Sequence, residues 1–158
     1  MAVDTAFLLK LSEGARTLRR PFDACLCVLD TNVVLDLLLF NDPKAQSLKN
    51  AIEENSLKPI GHYDTFFEFA DVIGREQFKL NQTQINNLLN EWLELHFLTE
   101  EPLPQEPYCK DADDDKFFNL AQLCSARYLF SKDKKVLKAR GKAKRFDCLV
   151  LKPENFVA

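Results

Sequence analysis

The sequence predicts an α/β fold, a three-layer α/β/α sandwich around a central, mostly parallel sheet. Short apolar runs alternate along the chain with longer segments of helical periodicity, which is the order that βαβ units produce. The run at residues 26–29 is apolar at every position and ends at Asp30, as expected for a strand that is covered on both faces. This arrangement places Asp30 at the carboxyl end of a parallel strand, where such sheets hold their ligands.

The composition is typical of a globular domain. Hydrophobic residues make up 46% of the 158 residues and charged residues 28%, with a net charge of −3. The chain as a whole therefore has no attraction for nucleic acid, and such binding would need a local basic patch. Five cysteines without a CxxC pair and two histidines predict neither a disulfide framework nor a zinc site. Neither a membrane-spanning apolar run nor a signal peptide is recognised, so we expect a cytoplasmic protein.

The predicted domain comprises residues 24–158, and the first 23 residues form an extension. Residues 6–11 could begin a short helix within this extension. Its second half contains a basic cluster formed by Arg16, Arg19 and Arg20. Two interpretations are open, since the extension could be an arm that packs on a partner or a mobile tail.

The first strand leads directly into a helix. Two small polar residues, Thr31 and Asn32, follow it and precede a second apolar run at residues 33–40. Either residue can cap a helix, because a short oxygen-bearing side chain accepts the free N–H groups of the first turn. A further helix is predicted at residues 43–54, since proline at position 43 suits the first turn, and a second strand at residues 57–61.

The second half of the chain repeats this alternation. Residues 63–78 and 83–97 carry apolar side chains at helical spacing, and the three prolines of residues 99–107 indicate a loop. Several acids then lead into a helix at residues 116–125, where negative charge suits the positive end of the helix dipole. The two remaining predicted strands are the apolar runs at residues 128–130 and 149–151.

Acidic side chains follow two of these strands and begin or occupy two of the helices. Asp30 follows the first strand and Asp133 the third, while Glu68 lies on a helix and residues 113–115 begin another. If the strands are parallel neighbours, the carboxylates converge at one edge of the sheet and raise one another's pKa values. The sequence does not place enough lysine or arginine beside Asp30 and Glu68 to neutralise their charges. Mg²⁺ or Mn²⁺ is therefore the natural counter-charge.

Each of these acids also has a plainer interpretation. Asp30 could belong only to a helix cap, and the acids at residues 111–115 could form a solvated helix start that matches the dipole. Asp36 and Asp64 are interpreted as surface or cap residues, and Trp92 as a core or interface residue.

Four motifs resemble those of the PIN-domain nucleases. They are VLDTN around Asp30, the helix with Glu68, DADDDKFFNLA at residues 111–121 and FSKD ending at Asp133. The resemblance covers residues 25–157. Within the family, the chain resembles the bacterial VapC-like PIN proteins, which are assigned as toxin components of toxin–antitoxin systems.

The resemblance implies a set of catalytic, metal-binding acids. Asp30 looks like the first of them and Glu68, on its helix, like the second. Asp133 looks like the fourth. The third is a choice among Asp113, Asp114 and Asp115; the spacing to Asp133 fits Asp115 best and leaves Asp114 as a further metal ligand.

The resemblance also implies supporting residues. Asn32 would orient the first acid, and Ser131 is the hydroxyl residue that ends the strand before the fourth. The segment at residues 132–145 is dense in lysine and arginine, so it is either a solvated charged loop or a basic rim that holds RNA phosphates. The candidate RNA-binding residues are Lys132, Lys134, Lys135 and Arg140.

The expected function is therefore that of a Mg²⁺- or Mn²⁺-dependent endoribonuclease that cleaves single-stranded RNA with metal-activated water. The resemblance further implies a homodimer and inhibition by an antitoxin protein. One alternative is a catalytically silent PIN domain that binds RNA or protein. A second is a phosphatase or kinase-like protein with Asp30 as nucleophile, which is weakened because Asn32 stands where that chemistry usually places a second aspartate.

Overall fold

A five-stranded sheet forms the centre of the protein. The computed structural model describes residues 4–18 and 25–157. All four strand pairings are parallel, and the strand order is β3-β2-β1-β4-β5. The strands are β1 Cys25–Leu29, β2 Leu57–Gly61, β3 Phe97–Leu98, β4 Tyr128–Phe130 and β5 Leu149–Leu151. The sheet is thus parallel throughout, and the predicted α/β class is confirmed.

Eight α-helices lie within the described residues. They are α1 Thr5–Ser12, α2 Thr31–Leu35, α3 Gln46–Glu53, α4 Tyr63–Ile73, α5 Gln82–Leu95, α6 Asp115–Cys124, α7 Lys134–Lys138 and α8 Arg140–Ala143. A π-helical segment, Asp36–Phe40, continues α2, and a single 3-10 turn, Ala112–Asp114, precedes α6. Further 3-10 turns are Pro43–Ala45, Glu76–Phe78, Lys144–Phe146 and Pro153–Asn155. None of the helices in residues 4–18 and 25–157 combines the length and apolar character needed to cross a bilayer.

The layers follow from the alternation of side chains along the strands. In β1, Cys27 and Leu29 belong to one apolar cluster, whereas Val28 between them belongs to another. The first cluster is completed by α1 to α5 and the second by α6 to α8. Helices therefore cover both faces of the sheet, which explains why β1 is apolar at every position. All five cysteines are free, as the sequence predicts.

The two predicted strand ends that carry acids are neighbours. The chain passes from β1 to β2 and β3 on one side, then crosses to β4 and β5 on the other, so the order reverses between β1 and β4. Directly after β1, the Asp30 N–H donates to the Phe130 carbonyl of β4 over 2.9 Å. Open α/β sheets bind ligands at such a switch point, which is where Asp30 lies.

Two predictions of secondary structure were wrong. The strand β3 was assigned to the end of the preceding helix, because two residues cannot show a periodicity. The segment at residues 132–145, for which the sequence predicts no helix and leaves open a solvated charged loop or a basic rim, contains α7 and α8. Val136, Ala139 and Ala143 are buried at helical spacing in this segment, between exposed lysines and arginines.

The described part of the N-terminal extension packs on the domain itself. Leu8 of α1 is 3% exposed and lies in the first apolar cluster. Thr17 forms a parallel bridge to Leu98 of the edge strand, flanked by backbone hydrogen bonds of 2.7 Å. Residues 4–18 are therefore neither a free tail nor an arm held away from the domain. Of the predicted basic cluster, Arg19 and Arg20 lie outside the described residues.

Candidate functional site

The Asp30 side chain is placed by β1 but is not used to cap the helix that follows. Asp30 is at the N-cap position of α2, yet its side chain makes no capping hydrogen bond. Its Oδ2 instead accepts a 2.6 Å hydrogen bond from the Ser131 hydroxyl and a longer one, 3.4 Å, from Asn32 Nδ2. The carboxylate is 5% exposed, so the interpretation of Asp30 as a simple cap does not hold.

Ser131 connects the ends of the two neighbouring strands. It is fully buried after β4, donates to Asp30, and its Oγ accepts a 3.0 Å hydrogen bond from the Asp133 N–H. The Asp133 carboxylate caps α7 by accepting from the Lys135 N–H over 2.9 Å. Asn32 adds a second connection, since its Oδ1 accepts from the Lys132 N–H. The loops after β1 and β4 are thus fixed relative to each other.

The Glu68 carboxylate reaches the same crevice from α4. Its Oε2 accepts a short hydrogen bond from the Thr31 hydroxyl, and its Oε1 lies 3.0 Å from Lys116 Nζ. The two charged side chains are about one-fifth to one-quarter exposed, at 21% and 24%. The expectation that no lysine neutralises Glu68 was therefore wrong. Lys116 comes from α6, so only the tertiary structure reveals the pair.

The three acids around the start of α6 point in different directions. Asp115, which the spacing favoured, turns back to the preceding loop, where its Oδ1 accepts from the Tyr108 and Cys109 N–H groups over 2.9 and 2.7 Å. Asp113 is exposed. Asp114 is partly buried, and its Oδ2 is shielded from solvent and accepts no hydrogen bond within the described residues. The structure therefore favours Asp114 over Asp115 as the third acid of the crevice.

Electrostatics show that Asp30 and Asp114 share one environment with the other acids. Burial, together with the charges of Glu68 and Asp133, raises the pKa of Asp30 to about 6, although the Ser131 hydrogen bond lowers it. Burial also raises the pKa of Asp114 to about 7, with contributions from Asp30, Asp133, Asp111 and Glu68. Neighbouring carboxylates thus make Asp30 and Asp114 harder to ionise, as the sequence predicted for acids that converge at one edge of the sheet.

The donor set fits a hard divalent cation. No donor of the described residues reaches the shielded Asp114 Oδ2, and an acceptor in this state is costly unless something positive occupies it. Within the described residues, 4–18 and 25–157, no three histidine, cysteine or acidic side chains are arranged to hold an ion on their own. Mg²⁺ tolerates this, because it keeps several waters and often uses only one or two carboxylates with substrate phosphates.

The predicted basic residues differ in whether they are already paired. Lys132 Nζ lies 2.6 Å from Asp36 Oδ2, which is 5% exposed, so the interpretation of Asp36 as a surface or cap residue was wrong. Lys134, Lys135 and Arg140 are exposed on α7 and α8, beyond Asp133. Two further basic residues of this segment brace the loop before α6: Lys142 donates to the Tyr108 carbonyl over 2.8 Å, and Arg145 pairs with Glu106 over 3.2 Å.

The sequence contained weak signals for the residues that were missed. An acid at position 36, inside the apolar run of residues 33–40, indicates a buried charge that needs a partner. Lys116 directly follows the acids at residues 113–115 and lies in the first turn of α6. Neither signal identifies the partner. Lys132 lies 96 residues from Asp36 along the chain, and Lys116 lies 48 residues from Glu68.

Fold and site together define an all-parallel α/β/α protein with an acidic crevice at its switch point. A family model described as PIN domain matches residues 27–135, more than half of the chain. The chain therefore belongs to the PIN-domain family. PIN domains are generally nucleases and typically use divalent metal ions. No curated protein matches the chain as a relative.

Proposed function

We propose that this protein is a Mg²⁺- or Mn²⁺-dependent endoribonuclease that cleaves single-stranded RNA. The observation that carries the proposal is the shielded Asp114 oxygen, for which the described part of the chain supplies no donor, in a crevice where Asp30 and Asp114 are both hard to ionise. A site built in this way is unfavourable when empty of positive charge and favourable when a cation enters. A PIN domain with such a crevice supports metal-dependent phosphodiester hydrolysis.

The ion would take one or two carboxylates from among Asp30, Asp114 and Asp133 and keep several waters, with Glu68 as the remaining catalytic acid of the crevice. When bound, it supplies activation of water and stabilisation of the leaving oxygen. The chain itself fixes the carboxylates. Ser131 sets the rotamer of Asp30 through its 2.6 Å hydrogen bond, and Asn32 joins the two loops that carry the ligands. Asp115 contributes indirectly, because it holds the loop before α6 in place.

RNA would lie across α7 and α8. Lys134, Lys135 and Arg140 are exposed on these helices, next to Asp133 at the start of α7. Lysine and arginine in this position can neutralise phosphates without reading bases, which suits a single strand. Lys132 was a fourth candidate for this role, but it is already paired with Asp36. We therefore assign it to holding the loop after β4.

The biological role follows the resemblance to the bacterial toxins. We propose that the protein is a toxin component of a toxin–antitoxin system, that it acts in the cytoplasm as a homodimer, and that a small antitoxin protein inhibits it. A small open reading frame directly upstream of the gene would be the simplest support for this role.

One observation favours the alternative of a catalytically silent PIN domain that binds RNA or protein. Glu68 is already neutralised by Lys116, so the crevice has fewer carboxylates for metal than the four acids suggest. A cleavage assay separates the two functions. The substrate is a labelled single-stranded RNA with Mn²⁺, and a chelator is added as the control.

The nuclease is expected to cut in Mn²⁺, to stop in chelator and to lose cleavage on Asp30→Asn. Asp71→Asn is the matched control, since it makes the same substitution at an aspartate of α4 whose side chain is 66% exposed and paired with Arg75. This variant should cut normally. RNA that is retained but uncut in Mn²⁺ would instead establish the silent binding domain.

A further inference from the structure

Lys116 and Glu68 form an ion pair inside the candidate metal site. Lys116 Nζ lies 3.0 Å from Glu68 Oε1, and both side chains are mostly buried. The lysine belongs to the first turn of α6, two residues after Asp114, and the glutamate lies in the middle of α4. The pair therefore spans the crevice and joins its two helical walls.

The pair leaves Glu68 with both oxygens engaged. Oε1 meets Lys116, and Oε2 accepts from the Thr31 hydroxyl. The situation of Asp114 is the opposite, since its Oδ2 has no donor among the described residues. An incoming cation would find an available oxygen at Asp114 and would have to displace Lys116 to reach Glu68 Oε1.

We propose that Lys116 takes the place of a second cation at Glu68, so that the site binds one divalent ion at a time. This inference rests on the proposed metal-dependent function. Glu68 and Lys116 neutralise each other, which leaves Asp30, Asp114 and Asp133 to supply the one or two carboxylates that a single ion needs. A second divalent ion at Glu68 would stand beside the ammonium group and be repelled. Lys116 is thus a positioning residue that sets the number of ions and is not itself a ligand.

Mn²⁺ binding to the full chain without RNA tests this inference. Isothermal titration calorimetry and the EPR signal of free Mn²⁺ both give the number of ions bound. The wild type should bind one ion. Lys116→Met removes the ammonium group and should allow a second ion, with tighter binding of the first. Glu68→Gln should still bind one ion, with affinity lowered by no more than about tenfold, since it loses a neighbouring charge and not a ligand.

Two controls show whether a change in the number of ions is specific to Lys116. Lys44→Met removes a lysine from an exposed pair with Glu154, 4.0 Å apart, and should leave the number of ions at one. Circular dichroism shows whether each variant is folded, and Lys116→Gln replaces Lys116→Met if the latter does not fold. Should neither variant fold, Glu68→Gln decides, because retention of one ion supports the role of Lys116 and loss of the ion overturns it.

Two ions in the wild type, one ion in Lys116→Met, or loss of the ion in Glu68→Gln would each overturn the role of Lys116. None of these results would affect the proposed nuclease, which works with one ion or two. A wild type that binds no Mn²⁺ has a different meaning. It would remove the proposed metal-dependent function and this inference with it.

Discussion

Replacing Asp30 with asparagine should stabilise the metal-free protein at high pH. Burial and the charges of Glu68 and Asp133 raise the pKa of Asp30 from 3.8 to about 6. Because the folded pKa lies above the unfolded one, the folded state loses stability as the pH rises from about 4 to about 6, and the full cost is present above that range. A shift of about two units corresponds to about 3 kcal/mol.

Asparagine avoids this cost because it cannot ionise. Its carbonyl still accepts the Ser131 hydroxyl, and the effect of this hydrogen bond on the carboxylate is already contained in the pKa of about 6. The variant should therefore be about 3 kcal/mol more stable than the wild type at pH 8. At pH 4, where the wild-type carboxyl is mostly protonated in the folded state, the stabilities of the two proteins should differ by less than about 1 kcal/mol.

The assay is urea unfolding with a chelator present, followed by the fluorescence of Trp92, the single tryptophan, which is 2% exposed. The two proteins are compared at the same pH, because His96 adds a slope of opposite sign that cancels in the difference. Burial lowers the pKa of His96 to about 4. A difference between variant and wild type that stays the same from pH 4 to pH 8 would refute the reasoning.

Three further predictions concern neighbouring parts of the structure. Asp114→Asn should abolish cleavage without loss of stability, whereas Asp115→Asn should cost about 1–2 kcal/mol in urea unfolding because two loop N–H groups lose a charged acceptor. Gly61→Ala should cost about 1–3 kcal/mol in the same assay, since a Cβ at this position would overlap the buried Trp92 ring. His96→Phe keeps a ring that can stack on Trp92 but cannot titrate, so its thermal midpoint should fall less than that of the wild type between pH 6.5 and pH 4. Equal falls would contradict the assignment of His96 as a buried neutral side chain.

The sheet was largely predictable because a parallel strand buried on both faces leaves a continuous apolar run. The runs at residues 26–29, 57–61, 128–130 and 149–151 all correspond to strands of the structure. The strand Phe97–Leu98 is too short to leave such a run, and its pairing depends on contacts with β2 rather than on its own sequence.

The helices α7 and α8 were missed for a different reason. Their exposed faces carry so many lysines and arginines that the apolar positions at Val136, Ala139 and Ala143 do not dominate the pattern. Small residues such as alanine contribute little to an apolar stripe even when they are fully buried. The cap by Asp133 was visible in the sequence, but the residue had already been interpreted only as a site acid.

The sequence could predict those residues of the candidate site that directly follow a strand, because the end of the strand determines where they lie. Asp30 and Asp133 follow strands that prove to be neighbours. The choice between Asp114 and Asp115 could not be made in this way. It depends on the 3-10 turn before α6, which turns one carboxylate toward the crevice and the next toward the loop.

Ion pairs between distant segments also could not be predicted from the sequence. Lys116 with Glu68 and Lys132 with Asp36 join residues on different elements. Their charges were visible, and so was the need of a buried acid for a partner. Which base meets which acid follows only from the packing of α6 against α4 and of the loop after β4 against the π-helical segment.

The Mn²⁺ affinity of Asp114→Asn, compared with that of the wild type by calorimetry at pH 7.5, tests most directly whether the crevice is built for a cation. Asp115→Asn is the neighbouring control, because its carboxylate serves the loop. We expect Asp114→Asn to weaken Mn²⁺ binding at least tenfold, about 1.4 kcal/mol, and Asp115→Asn to change it by less than threefold. Equal affinity of Asp114→Asn and the wild type would contradict the account, since the shielded oxygen would then have no part in holding the ion.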